Sequence, residues 1–290
     1  MHRTLPHAAL TLAALVLGLA ALAQSPPNPY RLMEGWAKLN GGRQIGAVGD
    51  VDVDRDGNVW VTDAASAERT DGPSGRGRGH QVVKFSPTGQ VLMRLGTPGK
   101  AGNDEKHFNA PSDVVVAANG DIFVADGHGD DTNNRVVKFS RDGKFIKAWG
   151  STGYAPGEFR TLHSIAIDQQ GRVFVADRSN NRIQLFDQDG KWLSSWTQFG
   201  RPSGITLDDH GRIIVADSES DNVENPGWEM GIRIGDAATG WVTEFILYAW
   251  GDPRSTRGTG AEFAAVDAAG NIYGGEPRPR KLQKYVRVRP

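Results

Sequence analysis

The sequence predicts an all-β chain folded as a propeller of five blades. The first observation behind this is a phrase repeated five times. Asp56-Gly57-Asn58-Val59-Trp60-Val61-Thr62-Asp63 returns from Asn119 to Asp126, from Gln170 to Asp177, from His210 to Asp217 and, degraded, from Ala269 to Glu276. In every copy a Gly stands six positions before an acidic residue. The second observation is the grammar around the phrase, in which short β-rich runs alternate with hairpin turn signals. The third is that no helix-length window carries a helical period. Units that cannot bury their own apolar faces stack to share a core. A β-sandwich would account for spaced strands but not for the repeated phrase.

The elements follow in chain order. Arg3, the apolar run Ala8 to Leu22 and the small-x-small pattern Ala21-Leu22-Ala23 predict a secretory signal peptide over residues 1–23 of the 290, cleaved after Ala23. The run is shorter than the ~20 residues of a spanning helix. No later segment is apolar enough for a membrane, so the expected location is secreted or periplasmic. Residues 24–290 are then a single propeller domain. Cys is absent, which excludes disulfides, thiol chemistry and Cys metal ligands. The net charge of -1 and the lack of a basic block interleaved with aromatics exclude nucleic acid as a partner. The 37 Gly suit a fold of many tight turns.

Each unit opens on a period-2 run, such as Asp113 to Val116 or Ser164 to Ile167, and turns at a Gly such as Gly120 or Gly171. The repeated phrase supplies the second strand. Arg135 to Phe139 and Arg182 to Phe186 are third strands, and Phe145 to Trp149 and Trp192 to Trp196 are fourth strands. Four hairpin-joined strands describe one blade. The inner strands fall near Val51, Val114, Ile165, Ile205 and Ala265. The last unit runs out at Tyr285 to Val288 after three strands, and Tyr30 to Trp36 is expected to supply the fourth and close the ring. Insertions at Ala65 to Gly79, Ser218 to Gly231 and Asp252 to Gly260 read as surface loops.

Strand alternation places the connection into each first strand, and the loop after each second strand, on one face of the disc. His163 and Pro202 lie just before or at first strands, and Asp63, His128, Arg178, Glu219 and Glu276 lie at or after the ends of second strands. Together they predict a mouth able to hold a small molecule or metal. The recurring acids Asp63, Asp126, Asp177 and Asp217 read as structural acceptors for loop N–H groups or as partners of Arg135 and Arg182. His163 stands where other repeats have Ser112 and Ser203, so the repeat does not demand it. Arg178 suits a carboxylate clamp, against a plain interblade ion pair. Asp130-Asp131 reads as a solvated pair before it reads as a calcium site. Trp149, Trp192 and Trp196 are expected between blades, and Trp228 in loop packing. No Gly-x-Ser-x-Gly elbow and no His-Glu-x-x-His helix occurs.

Asn133-Asn134-Arg135-Val136-Val137-Lys138-Phe139-Ser140 with Gly143-Lys144-Phe145, and Asn180-Asn181-Arg182-Ile183-Gln184-Leu185-Phe186 with Asp189-Gly190, resemble the NHL repeat. From His107 through His128, and from Leu162 to Arg178, the chain resembles the peptidyl-α-hydroxyglycine α-amidating lyase family. That resemblance implies a secreted six-bladed propeller with zinc on three His, calcium in the structure, and Tyr and Arg side chains that release glyoxylate from a C-terminal hydroxyglycine. His163 matches a zinc ligand, Arg178 an active-site arginine, and His128 stands where the family has its catalytic tyrosine. The other two His would fall near Gly49 and Glu262, where none occurs. Glu262 or Glu276 is a candidate replacement ligand. The blade carrying the family's other active-site arginine is not recognisable. The expectation is therefore a propeller that binds a small molecule, peptide or protein at its channel mouth through Asp63, Glu219 and Glu276. A zinc-dependent lyase using His163, His128 and Arg178 is the alternative, and a structural module of the cell envelope is a third reading.

Overall fold

The computed structural model describes residues 47–54, 56–64, 80–129, 131–248, 260–276 and 281–286, within the compact unit Trp36–Pro290. The signal peptide, the closing strand Tyr30 to Trp36, the insertion Ala65 to Gly79, Asp130 and nearly all of the insertion Asp252 to Gly260 lie outside the described residues.

The turn chemistry dictates the hairpins. The Gly of each repeated phrase, at positions 57, 120, 171, 211 and 270, has φ between +75° and +92°. A side chain there would be strained. Four of these turns open on an Asp whose carboxylate accepts backbone N–H groups ahead: Asp54, Asp168, Asp208 and Asp267. This pre-forms the tight connection between first and second strands.

Five antiparallel sheets result. Blade 1 is β1 (Ala47–Val53), β2 (Val59–Ala64), β3 (Gln81–Phe85) and β4 (Val91–Gly96). Blade 2 is β5 (Pro111–Val116), β6 (Ile122–Asp126), β7 (Arg135–Phe139) and β8 (Phe145–Trp149). Blade 3 is β9 (Leu162–Ile167), β10 (Val173–Asp177), β11 (Arg182–Phe186) and β12 (Trp192–Trp196), with a 3-10 turn at Arg178–Asn180. Blade 4 is β13 (Pro202–Leu207), β14 (Arg212–Asp217), β15 (Gly231–Asp236) and β16 (Val242–Leu247). Blade 5 has three described strands, β17 (Phe263–Val266), β18 (Ile272–Glu276) and β19 (Lys281–Tyr285). Inner strands β1, β5, β9, β13 and β17 pack in that order, and all five line one channel. The five-blade propeller reading thus matches the fold.

The second strands β6 and β10 are buried at every residue, which is why they read as continuous apolar runs rather than alternating ones. The core sits between blades. Phe174, Ile183, Leu185 and Trp196 of blade 3 pack on Ile205, Ile213 and Val215 of blade 4, and Phe123 and Val136 of blade 2 meet Leu162, Ile165 and Val175. Trp196 and Trp149 join these clusters as expected. Trp192 does not. It is 40% exposed at the start of an outer strand, at the position that Phe145 holds in blade 2 rather than that of Trp149. Trp228 covers the Arg233 guanidinium at 4.9 Å from the ring centroid.

The recurring acids are built into the blades. Asp126 accepts from Asn109 N, Asn133 Nδ2 and Arg135 Nε. Asp177 accepts from Arg160 N, Asn180 Nδ2, Arg182 Nε and Gln184 Nε2. Asp217 accepts from Arg201 N, Ser220 and Arg233 Nη1. All three are fully buried. Each carboxylate therefore fastens the loop entering its blade to the third strand. Asp63 ends β2 at the same position; its side chain lies outside the described residues.

Candidate functional site

His163 is the second residue of β9 and lines the channel. Its Nδ1 donates to the Ser203 carbonyl at 3.1 Å, which leaves Nε2 as the lone-pair nitrogen. The ring stands 5.0 Å, centroid to centroid, from His128 and 6.3 Å from Phe263. His163 thereby connects the loop after β6 with β13 and β17. Burial, then the Arg178 charge, then His128 hold its pKa well below the usual imidazole value. His128 is exposed on the loop after β6.

Arg178 opens the 3-10 turn that follows β10 and is only 8% exposed. Its Nη1 lies 3.3 Å from Glu219 Oε1, while its Nε is buried with no hydrogen-bond partner. The other Glu219 oxygen takes Arg201 Nε at 3.1 Å. Arg201 also reaches the Arg178 carbonyl and, at 3.5 Å, Glu224 Oε2. Glu262 adds a favourable charge to Arg178. His128, His163, Arg178 and Glu219 are thus brought to one mouth, with two buried guanidiniums sharing one partly exposed carboxylate.

Glu276 sits elsewhere. It ends β18 as Asp217 ends β14, is buried, and accepts from Gln283 Nε2 at 3.1 Å. Its position is that of the blade acids, but its Oε2 is buried with no hydrogen-bond partner among the described residues. Arg201 was not singled out by sequence reasoning. Its amide does for Asp217 what Asn109 N and Arg160 N do for Asp126 and Asp177, so the backbone position belongs to the repeat while its side chain belongs to the mouth. Three-dimensional pairing with Arg178 left no local pattern to read.

Among the described residues no three His, Asp or Glu side chains group so as to hold a metal ion. His163 and His128 form a pair only, and Glu262 and Glu276 do not complete it. A three-ligand catalytic zinc centre does not fit the donor set of the described residues.

Residues 102–198 match the model of a six-bladed β-propeller family, and residues 199–223 match the model of the NHL repeat. The chain is similar to NHL-repeat propellers. Human NHL repeat-containing protein 3 is 38% identical over 123 residues, 42% of this chain and 33% of that protein. A probable peptidyl-alpha-hydroxyglycine alpha-amidating lyase of Caenorhabditis elegans is 37% identical over 130 residues, 43% of this chain and 33% of the lyase. Peptidyl-glycine alpha-amidating monooxygenase B of Xenopus laevis is 41% identical over 133 residues, 43% of this chain and 13% of the monooxygenase. The aligned stretch thus spans a third or less of each of these relatives. A nidogen/laminin complex structure superposes with a TM-score of 0.54 at 14% identity, covering 84% of this chain and 81% of the other. Virginiamycin B lyase of Staphylococcus aureus gives 0.51 at 17% identity, covering 83% and 70%. Both likenesses concern the fold alone.

The His163 environment has a direct consequence. Its ring is expected to show no titration between about pH 6 and 8 by NMR, where a free imidazole changes charge. The sign follows from the lowered pKa: the contribution to stability is present above the ordinary value of 6.5 and is lost as pH falls below it. An inflection near 6.5 assigned to His163 would contradict the buried, neutral reading.

Proposed function

We propose that this chain is an exported propeller that binds a carboxylate-bearing small molecule or peptide at its channel mouth. The observation carrying this is Arg178, a buried guanidinium whose Nε has no partner, set beside a second guanidinium and a neutral imidazole. A buried cation with an idle donor suits an anion supplied from outside, and a carboxylate matches the guanidinium fork. His163 and exposed His128 offer polar contacts to groups next to that carboxylate. Export rests on residues 1–23, and N-terminal sequencing of the secreted protein, starting after Ala23, tests it.

Isothermal titration with N-benzoylglycine, against N-benzoylglycinamide as the uncharged control, tests the binding. The acid is expected to bind and the amide not. Arg178→Gln should weaken the acid at least about tenfold, the scale of a hydrogen bond to a charged group. Equal affinity of wild type and Arg178→Gln for the acid would end this reading.

A second reading is supported by the identity to the amidating lyases. With the carboxylate of a hydroxyglycine on Arg178, a histidine would take the hydroxyl proton. The C–N bond would break as the glyoxylate carbonyl forms, and the proton would return to the departing amide nitrogen. Among the described residues the donor set makes no three-ligand zinc centre, and the idle donor of Arg178 supports binding as the preferred reading. Glyoxylate release from a C-terminal hydroxyglycine peptide, abolished by His163→Ala, would reverse that preference.

A further inference from the structure

Glu219 is the least well seated anion among the buried pairs. Arg182 meets Asp177 at 2.7 Å, and Arg135 and Arg233 meet Asp126 and Asp217 at 2.9 Å. Glu219 instead divides itself, with one oxygen 3.3 Å from Arg178 and the other 3.1 Å from Arg201. Neither contact reaches the roughly 2.7–2.9 Å of a well-made ionic hydrogen bond. Neither arginine receives the bidentate contact its fork favours, and Arg178 Nε stays idle.

Burial divides the cluster in the same sense. The arginine side chains are 10% and 8% exposed, whereas Glu219 is 29% exposed. The cations are fixed in the wall, and the anion stands at the opening on a side chain with three rotatable bonds. The repeat does not require a carboxylate there. Two positions after the blade acid, blades 2 and 3 carry His128 and Ser179. Glu219 also begins the insertion Ser218 to Gly231, where the Asp217 carboxylate anchors the Glu219 and Ser220 amides at 3.3 Å and 2.9 Å. The backbone is held while the side chain is left loosely paired.

We propose that Glu219 is a built-in placeholder: its carboxylate neutralises Arg178 and Arg201 in the empty site and is displaced by the carboxylate of the ligand. This rests on the carboxylate-binding reading above. The incoming carboxylate takes Nε and Nη2 of Arg178 side by side, and Glu219, no longer needed to neutralise the guanidinium, leaves Nη1 and turns outward to water. The device keeps two like charges from facing each other unpaired. It also discriminates, because a neutral ligand cannot replace the charge that Glu219 withdraws.

The test compares N-benzoylglycine binding to wild type, Glu219→Gln, Glu219→Asp and Arg178→Gln, with thermal unfolding of each with and without the acid. Glu219→Gln is expected to bind about tenfold more tightly than wild type, since the internal competitor has lost its charge while keeping its shape. Glu219→Asp, drawn back by one methylene, should gain less. Without the acid, Glu219→Gln should unfold at a lower temperature, and the acid should raise its midpoint more than it raises the wild-type midpoint. Asp142→Asn, on a 56% exposed side chain paired with Lys144 in the outer hairpin of blade 2, should bind within twofold of wild type. If wild type binds and Arg178→Gln does not, yet Glu219→Gln binds equally or more weakly, the placeholder is refuted and the carboxylate site stands. If wild type binds the acid no better than Arg178→Gln does, the site itself fails.

Discussion

Asp177→Ala is expected to lower the stability of the protein by about 3–5 kcal/mol, the range for breaking a buried ion pair by removing one partner. The carboxylate is fully buried. Its loss strips acceptors from Arg160 N, Asn180 Nδ2, Arg182 Nε and Gln184 Nε2 together. Arg182 then keeps only the carbonyls of Tyr154, Ala155 and Glu158, which solvate a cation without neutralising it. Asp177→Asn should cost less, because an amide retains one acceptor and the shape. Urea unfolding followed by tryptophan fluorescence measures both. A loss below about 1 kcal/mol for Asp177→Ala, the worth of one ordinary hydrogen bond, would mean that the blade acid is not the fastening it is taken to be.

That role was legible in the sequence, because a local rule repeats it. Gly and acid return six positions apart in every unit, and Arg135 and Arg182 open the third strands nine and five positions after their acids. Repetition exposes a structural requirement without any knowledge of the fold. The blade number and the inner strands were legible for the same reason. The mouth was only half legible. His163 and Arg178 could be found as residues the repeat does not demand, and strand direction put His128 and Glu219 on their face. The pairing of Arg178 with Arg201 across Glu219 joins two blades through side chains of no shared period, so no local pattern signals it. Trp192 misled because residue type was read in place of strand position: Trp196 is the counterpart of Trp149, whereas Trp192 is the counterpart of Phe145 at the start of the outer strand.

Asp113 in the channel wall is the second place where a single substitution should act strongly, and here the sign depends on what replaces it. The side chain is 4% exposed. One oxygen accepts Val114 N at 2.6 Å, and the other accepts Ser164 Oγ at 2.8 Å and Ile165 N at 2.6 Å, joining β5 to β9. Burial, followed by the charge of Asp50 and a hydrogen bond to its carboxylate, pushes the Asp113 carboxyl well above its ordinary value of 3.8. A raised folded pKa means that this group's contribution to stability is complete below its unfolded value and is lost as pH rises through the folded one. Asp113→Ala leaves buried donors without an acceptor at any pH and should cost on the order of 3 kcal/mol or more, at ~1–3 kcal/mol for each orphaned group. Asp113→Asn matches the charge of the protonated acid: its carbonyl still accepts from Ser164 and Ile165 and its amide donates to Asp50, but that amide replaces the oxygen that accepts Val114 N and leaves one donor unmet. It should stay within about 1 kcal/mol of wild type near pH 5, the worth of one hydrogen bond, and gain on wild type as pH rises, since it carries no buried charge to destabilise. Urea unfolding of the three proteins from mildly acidic to mildly alkaline pH separates these outcomes. Parallel pH profiles for wild type and Asp113→Asn, or an Asp113→Asn protein as unstable as Asp113→Ala, would show that Asp113 is not held as the protonated partner of Asp50.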